Sequence, residues 1–234
     1  RLERRIFVGQ VPPLGDPDAA LGVDGKVATT WQSASSSDAE SYTVDFGSTR
    51  EYGGATIDWA PGHAASRYVV ETSADGTRWD SVYAVDSGNG GRDWIYLPET
   101  ESRELRVRIP SDGAARDYAI RELAVFPVEW SDSRNAFVAH VAASAPAGSY
   151  PRYLSAKQSY WTVVGTGDDS AEALINEQGA IEPHAGGFSI EPFLRVGSRL
   201  ITWHDARQTQ SLASGYLPIP SVTWTAGTLR LEIT

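Results

Sequence analysis

The sequence predicts an all-β protein, and three observations carry that expectation. Apolar and polar residues alternate with a period of two in segment after segment, the pattern of strands with one buried and one solvated face. The β-branched and aromatic runs are short and are bounded by Gly, Pro, Asp and Ser. The chain is rich in large amphipathic rings, with 8 Trp and 10 Tyr, which suit half-buried sheet surfaces.

The first half supplies the clearest strands. Tyr68, Val70 and Thr72 oppose Val69, Glu71 and Ser73, and Leu105, Val107 and Ile109 oppose Glu104, Arg106 and Arg108. Further strands are expected at Tyr42–Phe46, Ala55–Trp59, Trp79–Ala84, Trp94–Leu97 and Arg121–Phe126, with Trp59 and Trp79 in the core. Ala74-Asp75-Gly76-Thr77 is a turn in which Gly supplies a positive φ. Seven or so strands at this spacing read as a sandwich. After Trp130 the pattern changes: Ser131–Ala143 is Ala-rich and suits a short helix capped by Ser131 or Asp132, and Pro146, Gly148 and Pro151 then break any regular element. The organisation expected is a domain over residues 1–128, a linker with a short helix over 129–148, and a second β domain over 149–234. Strands there are expected at Tyr160–Gly165, Phe188–Leu194, Arg199–Trp203, Val222–Trp224 and Leu229–Thr234. The last reaches the final residue with no turn or partner after it, so the second domain is read as incomplete.

Charge and composition narrow the function. In 234 residues, 20 Lys+Arg stand against 30 Asp+Glu, a net charge of −10. A nucleic-acid partner is not expected, since phosphate binding needs clustered basic residues. No apolar run approaches the roughly 20 residues that span a bilayer, so no membrane insertion is expected. Cysteine is absent, which removes disulfides and thiolate chemistry. The opening Arg1-Leu2-Glu3-Arg4-Arg5 does not resemble a signal peptide, and the lack of any Met suggests an excised piece of a longer polypeptide.

Four segments of the first domain carry a family resemblance. Leu21–Trp31 contains Asp24-Gly25, Thr29 and Trp31 in the order of a "DGxxxTxW" signature, and Val44-Asp45-Phe46-Gly47 is similar to a "VDLG" strand end. Tyr68–Trp79 follows "Y-x-V-x-x-S-x-D-G-x-x-W", and Ile120–Phe126 follows "I-x-E-x-x-V-Y". Together, over about residues 15–127, they resemble the discoidin, or coagulation factor five/eight type C, domains, close to the family 32 carbohydrate-binding modules. The resemblance implies a discoidin-type jelly-roll β-sandwich whose loops at one end bind sugars, lipid headgroups or proteins.

The same resemblance implies a structural calcium ion on the Asp24 loop, with Asp24, Thr29 and Glu122 among its ligands. A hard cation taking six to eight oxygens suits that loop. Lys26 stands where the family often has Asp or Asn, and its ammonium weakens such a site. The plainer reading is that Asp24-Gly25 only makes a turn. Sugar sites combine an aromatic platform with planar polar side chains that read hydroxyls. The ligand-binding candidates on those grounds are His63, Arg67, Arg92, Trp94, Arg116 and Tyr118. Each has an alternative: Trp94 as a core ring between Asp93 and Ile95, His63 as a solvated loop residue, and Arg116 as a loop charge beside Asp117.

Residues 149–234 resemble, more faintly, the opening strands of the β-supersandwich that precedes an (α/α)₆ barrel in large glycoside hydrolases. Such enzymes keep their catalytic carboxylates in the barrel, so catalytic residues are not expected here. Glu182, Glu191 and Asp205 carry no spacing that demands an acid pair, and His204 and Asp205 are adjacent on a strand and point to opposite faces. The Gly165–Asp169 loop lacks the Gly and Lys pattern that cradles phosphate. The function expected is a non-catalytic carbohydrate-binding region of a larger, exported, bacterial-type polysaccharide-active protein, extracellular or periplasmic. Its partners would be glycan and a catalytic region C-terminal to it in the same polypeptide. The alternatives are an adhesion or scaffold module binding a protein or membrane surface, and a structural discoidin domain packed on the second domain.

Overall fold

A computed structural model describes residues 18–165, 172–184 and 186–234. The N-terminal residues 1–17 and residues 166–169 of the loop considered for phosphate therefore lie outside the described residues. The chain divides between Phe137 and Val138 into two compact units.

Unit 1 is built on β1 (Trp31–Gln32), β2 (Glu40–Trp59), β3 (Tyr68–Ser73), β4 (Asp80–Val85), β5 (Arg92–Ile109) and β6 (Ala119–Phe126). The sheet order is β1-β6-β2-β5-β3-β4, with every pair antiparallel. The four short strands expected at Tyr42–Phe46, Ala55–Trp59, Trp94–Leu97 and Leu105–Ile109 are halves of two long ones. Register shifts at Asp45/Arg50 and Tyr52/Gly54 divide β2 and β5 without ending them. The first half of β2 pairs with the second half of β5, which continues to β3 and β4; the second half of β2 pairs with the first half of β5 and with β6. The two halves thus serve the two layers of a sandwich. Tyr42, Val44, Val70, Leu105 and Val107 from one layer meet Ile57, Ile95, Leu97 and Leu123 from the other in one buried cluster.

Two tryptophans expected in the core part company. Trp59 is buried, with its indole donating to Asp93 Oδ2 at 2.9 Å. Trp79 is only half-buried and lies under the Arg106 guanidinium, 3.8 Å from its ring centroid. Arg106 in turn donates to Glu71, which also accepts from Arg108. A cation stacked on an indole shields it from water much as a neighbouring ring does.

The segment read as a linker begins inside unit 1. After β6 a 3₁₀ turn (Val128–Ser131) lays Trp130 against the outer sheet face, stacked on Phe126 at 4.5 Å and on Trp94 at 6.0 Å. Gly53 and Gly54 make room for it: a Cβ at Gly54 would meet Ile95 O at 2.5 Å and the Trp130 ring. Helix α1 (Arg134–Ser144) follows, and its cap is neither Ser131 nor Asp132. Ser131 is buried with its hydroxyl on Gly53 O, and Ser133 Oγ accepts the Ala136 amide at 3.1 Å.

Unit 2 holds three small antiparallel sheets. Strands β7 (Trp161–Val164), β8 (Ala173–Asn176) and β9 (Ile181–Glu182) form one; β10 (Leu194–Val196) and β11 (Arg199–Ile201) form another. The third comprises β12 (Arg207–Ala213), β13 (Leu217–Ala226) and β14 (Leu229–Ile233). The strand expected at Phe188–Leu194 is reduced to one bridge at Ile190 before β10, because Gly187 and Pro192 interrupt the ladder. The final strand pairs with β13 over five residues. Its sheet closes a core of Ile175, Ile201, Ala206, Val222 and Trp224. Trp224 is fully buried and spends its indole N–H on Gln178 O at 2.8 Å.

Candidate functional site

The loops at one end of the unit 1 sandwich are tied to each other by backbone hydrogen bonds. Gly62, at φ +82°, makes the turn after β2. Ala60 N then donates to Ala119 O at 2.9 Å, and Ala119 N to His63 O at 3.0 Å. In the connection from β5 to β6, Arg116 and Ser36 exchange both backbone bonds at 2.9 Å, and Tyr118 N donates to Ser33 Oγ at 3.0 Å. These ties enclose a pocket of about 340 Å³ lined by Ser66, Arg67, Ser111, Asp112, Arg116 and Tyr118, among others.

Three of the six ligand-binding candidates therefore meet: Arg67, Arg116 and Tyr118. Arg67 makes no ion pair among the described residues, while Arg116 Nε lies 3.1 Å from Asp112 Oδ2, both side chains well exposed. Tyr118 is nearly buried, and that burial pushes its phenol up. His63 stands beside the pocket, its Nδ1 2.9 Å from Asp117 Oδ2 at an ion-pair distance. Asp117 also accepts from Gln32 Nε2 at 2.5 Å, and this bond is the chief cause that holds its carboxyl below the ordinary range. The other two candidates lie apart. Arg92 forms a two-point pair with Asp58 at 2.6 Å, which holds its pKa up, and reaches over Trp94 at 5.7 Å. Trp94 packs under Trp130 on the outer sheet face.

The Asp24 loop brings its three candidates together. Gly25, at φ +77°, turns the chain so that its N–H donates to Glu122 Oε2 at 3.0 Å. Thr29 Oγ1 is 2.8 Å from Asp24 Oδ1 and 2.7 Å from Lys26 O. The Asp24 carboxylate, the Thr29 hydroxyl and the Lys26 carbonyl from the turn, with the Glu122 carboxylate from β6, are oxygen donors of the kind a hard cation takes, and the donor chemistry fits calcium. Lys26 Nζ lies 3.9 Å from Asp24 Oδ2, but its side chain is 72% exposed and has room to swing away. Among the described residues no three His, Cys, Asp or Glu side chains gather at a metal-binding point, so the set depends on its neutral oxygens.

Residues 13–123 match the family model of the F5/8 type C domain. Unit 1 carries a discoidin domain. Among solved structures, it is similar to chitosan-binding module 2 of a chitosanase/glucanase from Paenibacillus sp. IK-5, in complex with chitotriose. That match has 28% identity over 46% of this chain and 85% of that one, with a TM-score of 0.43. It is also similar to CpGH89CBM32-5 of Clostridium perfringens, in complex with GalNAc-β-1,3-galactose, at 19% identity over 50% and 89% of the two chains and a TM-score of 0.41. The sequence has no match among curated proteins.

Sequence reasoning about the discoidin domain treated Asp117 only as a charge beside Arg116. Instead Arg116 turns to Asp112, and Asp117 organises His63 and Gln32. Gln32 lies 85 residues from its partner, and nothing local in the sequence signals such a pairing.

Proposed function

We propose that the discoidin domain binds carbohydrate in the pocket formed by Arg67, Arg116 and Tyr118. The observation that carries this reading is the convergence of two guanidiniums and a phenol ring in one open pocket. A guanidinium presents its N–H donors in a planar fork that spans neighbouring oxygens, such as vicinal hydroxyls. Tyr118, almost wholly buried, contributes an apolar edge to the pocket lining beside the two guanidiniums. A volume of about 340 Å³ suits one or two sugar rings. The role is docking rather than turnover.

Calcium belongs to the same proposal. Asp24, Thr29, the Lys26 carbonyl and Glu122 would hold it, and its charge would brace the loop leading into β1. We further propose that the chain tethers a larger, exported, polysaccharide-active polypeptide to its glycan.

Calorimetric titration of the chain with galactosides, glucans and uronides tests the binding reading. Binding to one class is expected, weakened about 10-fold or more by Arg67→Ala or Arg116→Ala, because a hydrogen bond from a charged donor contributes roughly 1.5–3 kcal/mol. Silence across the panel, or affinity indifferent to both substitutions, would reject it.

A further inference from the structure

We propose that unit 2 carries a second saccharide site, in the groove between β7–β8 and β12–β13. The groove is about 480 Å³ and is built wholly from unit 2. Its floor is apolar: Ile175 and Val222 are buried core residues. Its walls mix polar groups with Leu212 and Pro220. Thr162 stands opposite Ile175 in the β7–β8 register, and Ser211 faces Ser221 across β12–β13. Tyr160, 64% exposed, stands at the rim just before β7.

The wall groups are held in place. Glu177 Oε1 accepts from Arg152 Nη1 at 2.5 Å and from Gln178 Nε2 at 3.1 Å. The Glu177 carbonyl accepts Gln210 Nε2 at 2.7 Å, which ties the two walls together and leaves Gln210 Oε1 as an acceptor. Asn176 Oδ1 takes the amides of Gln178 and Ala180, which leaves its Nδ2 as a donor. Donors and acceptors are thus fixed before any ligand arrives, so little ordering is required on binding.

The chemistry selects the ligand class. No Lys, Arg or His lines the groove, and Glu177 does, so an anion is disfavoured. A purely apolar ligand would strip water from the exposed Thr162, Gln210 and Ser211 side chains and give nothing back. A neutral polyol with one apolar face satisfies both walls and covers the rim ring. The volume accommodates two or three pyranose rings, so the ligand is a short neutral or N-acylated oligosaccharide. This inference rests on unit 2 alone and does not depend on the discoidin reading.

The test is titration of the full ¹⁵N-labelled chain with cellotriose, triacetylchitotriose and xylotriose, read by amide shifts and calorimetry. At least one trisaccharide is expected to move amides around 160–162, 175–177 and 210–221. Tyr160→Ala and Gln210→Ala, both at exposed or half-exposed positions, should each weaken that binding about 10-fold with an unchanged circular dichroism spectrum. Arg67→Ala should leave it untouched. Shifts confined to 60–67 and 109–118, shifts from none of the three sugars, or affinity unchanged by Tyr160→Ala would each overturn the proposal. If Arg67→Ala abolishes all binding, the unit 2 site fails while the discoidin site stands; if Tyr160→Ala alone does so, the reverse holds.

Discussion

Glu191 places both carboxylate oxygens out of reach of solvent with no hydrogen-bond donor among the described residues. Burial alone pushes its carboxyl up from 4.5 to about 7. The sign follows from linkage: a folded-state pKa above the unfolded value gives stability that is full below pH 4.5 and lost as pH rises through 7. The loss tends toward about 3 kcal/mol above pH 7. Glu191→Gln should therefore flatten the decline of melting temperature between pH 5 and 8, and a variant that tracks the parent across that range would contradict the account. Glu71 is the opposite case. Burial pushes it up, but the guanidiniums of Arg108 and Arg106 overcome this and hold it below the ordinary range. Glu71→Ala would leave two partly buried cations without their counter-charge, and a destabilisation of about 3 kcal/mol is expected by urea unfolding.

At the scale of elements, the long strands β2 and β5 decide what the sandwich can hold. Their interruption at Gly53-Gly54 admits Trp130, and Gly54→Ala would drive a methyl into Ile95 O and the indole. Urea unfolding should show a loss of about 1–3 kcal/mol, the usual range for overpacking; a neutral result would mean that the turn at Val128–Ser131 does not seal that face. The same elements show what the sequence could reveal. Tyr68–Ser73 and Leu105–Ile109 are legible because alternate residues face one core. Strand β12 is not, because Arg207–Ala213 is polar almost throughout and nearly all of it faces solvent. The break within β2 was read as two strands because a register shift disrupts the side-chain pattern while the backbone ladder resumes beyond it. In the candidate site, Arg67, Arg116 and Tyr118 were visible as loop residues of the right chemistry. Asp117, Gln32 and the diversion of Trp94 to Trp130 depend on contacts between distant segments, which local pattern does not encode.

At the scale of the whole molecule, a net charge of −10 sets the company the chain keeps: it opposes anionic surfaces and leaves neutral glycans unhindered. The proposed calcium ion adds a further dependence. A ligand at 100 times its dissociation constant stabilises by about 2.7 kcal/mol, so EGTA should lower the unit 1 transition by several degrees in calorimetry, and Asp24→Ala should make the chain insensitive to the chelator. A transition equally sensitive in Asp24→Ala would place the ion elsewhere. The central claim is that sugar docks at the loop end of the discoidin domain, and backbone amide shifts under titration with the tightest-binding glycan of the calorimetric panel address it most directly. The account predicts saturable shifts at Ala64–Arg67 and Ser111–Tyr118, absent in Arg67→Ala. Saturable shifts around Trp94 and Trp130, with Ala64–Arg67 and Ser111–Tyr118 unmoved, would contradict it.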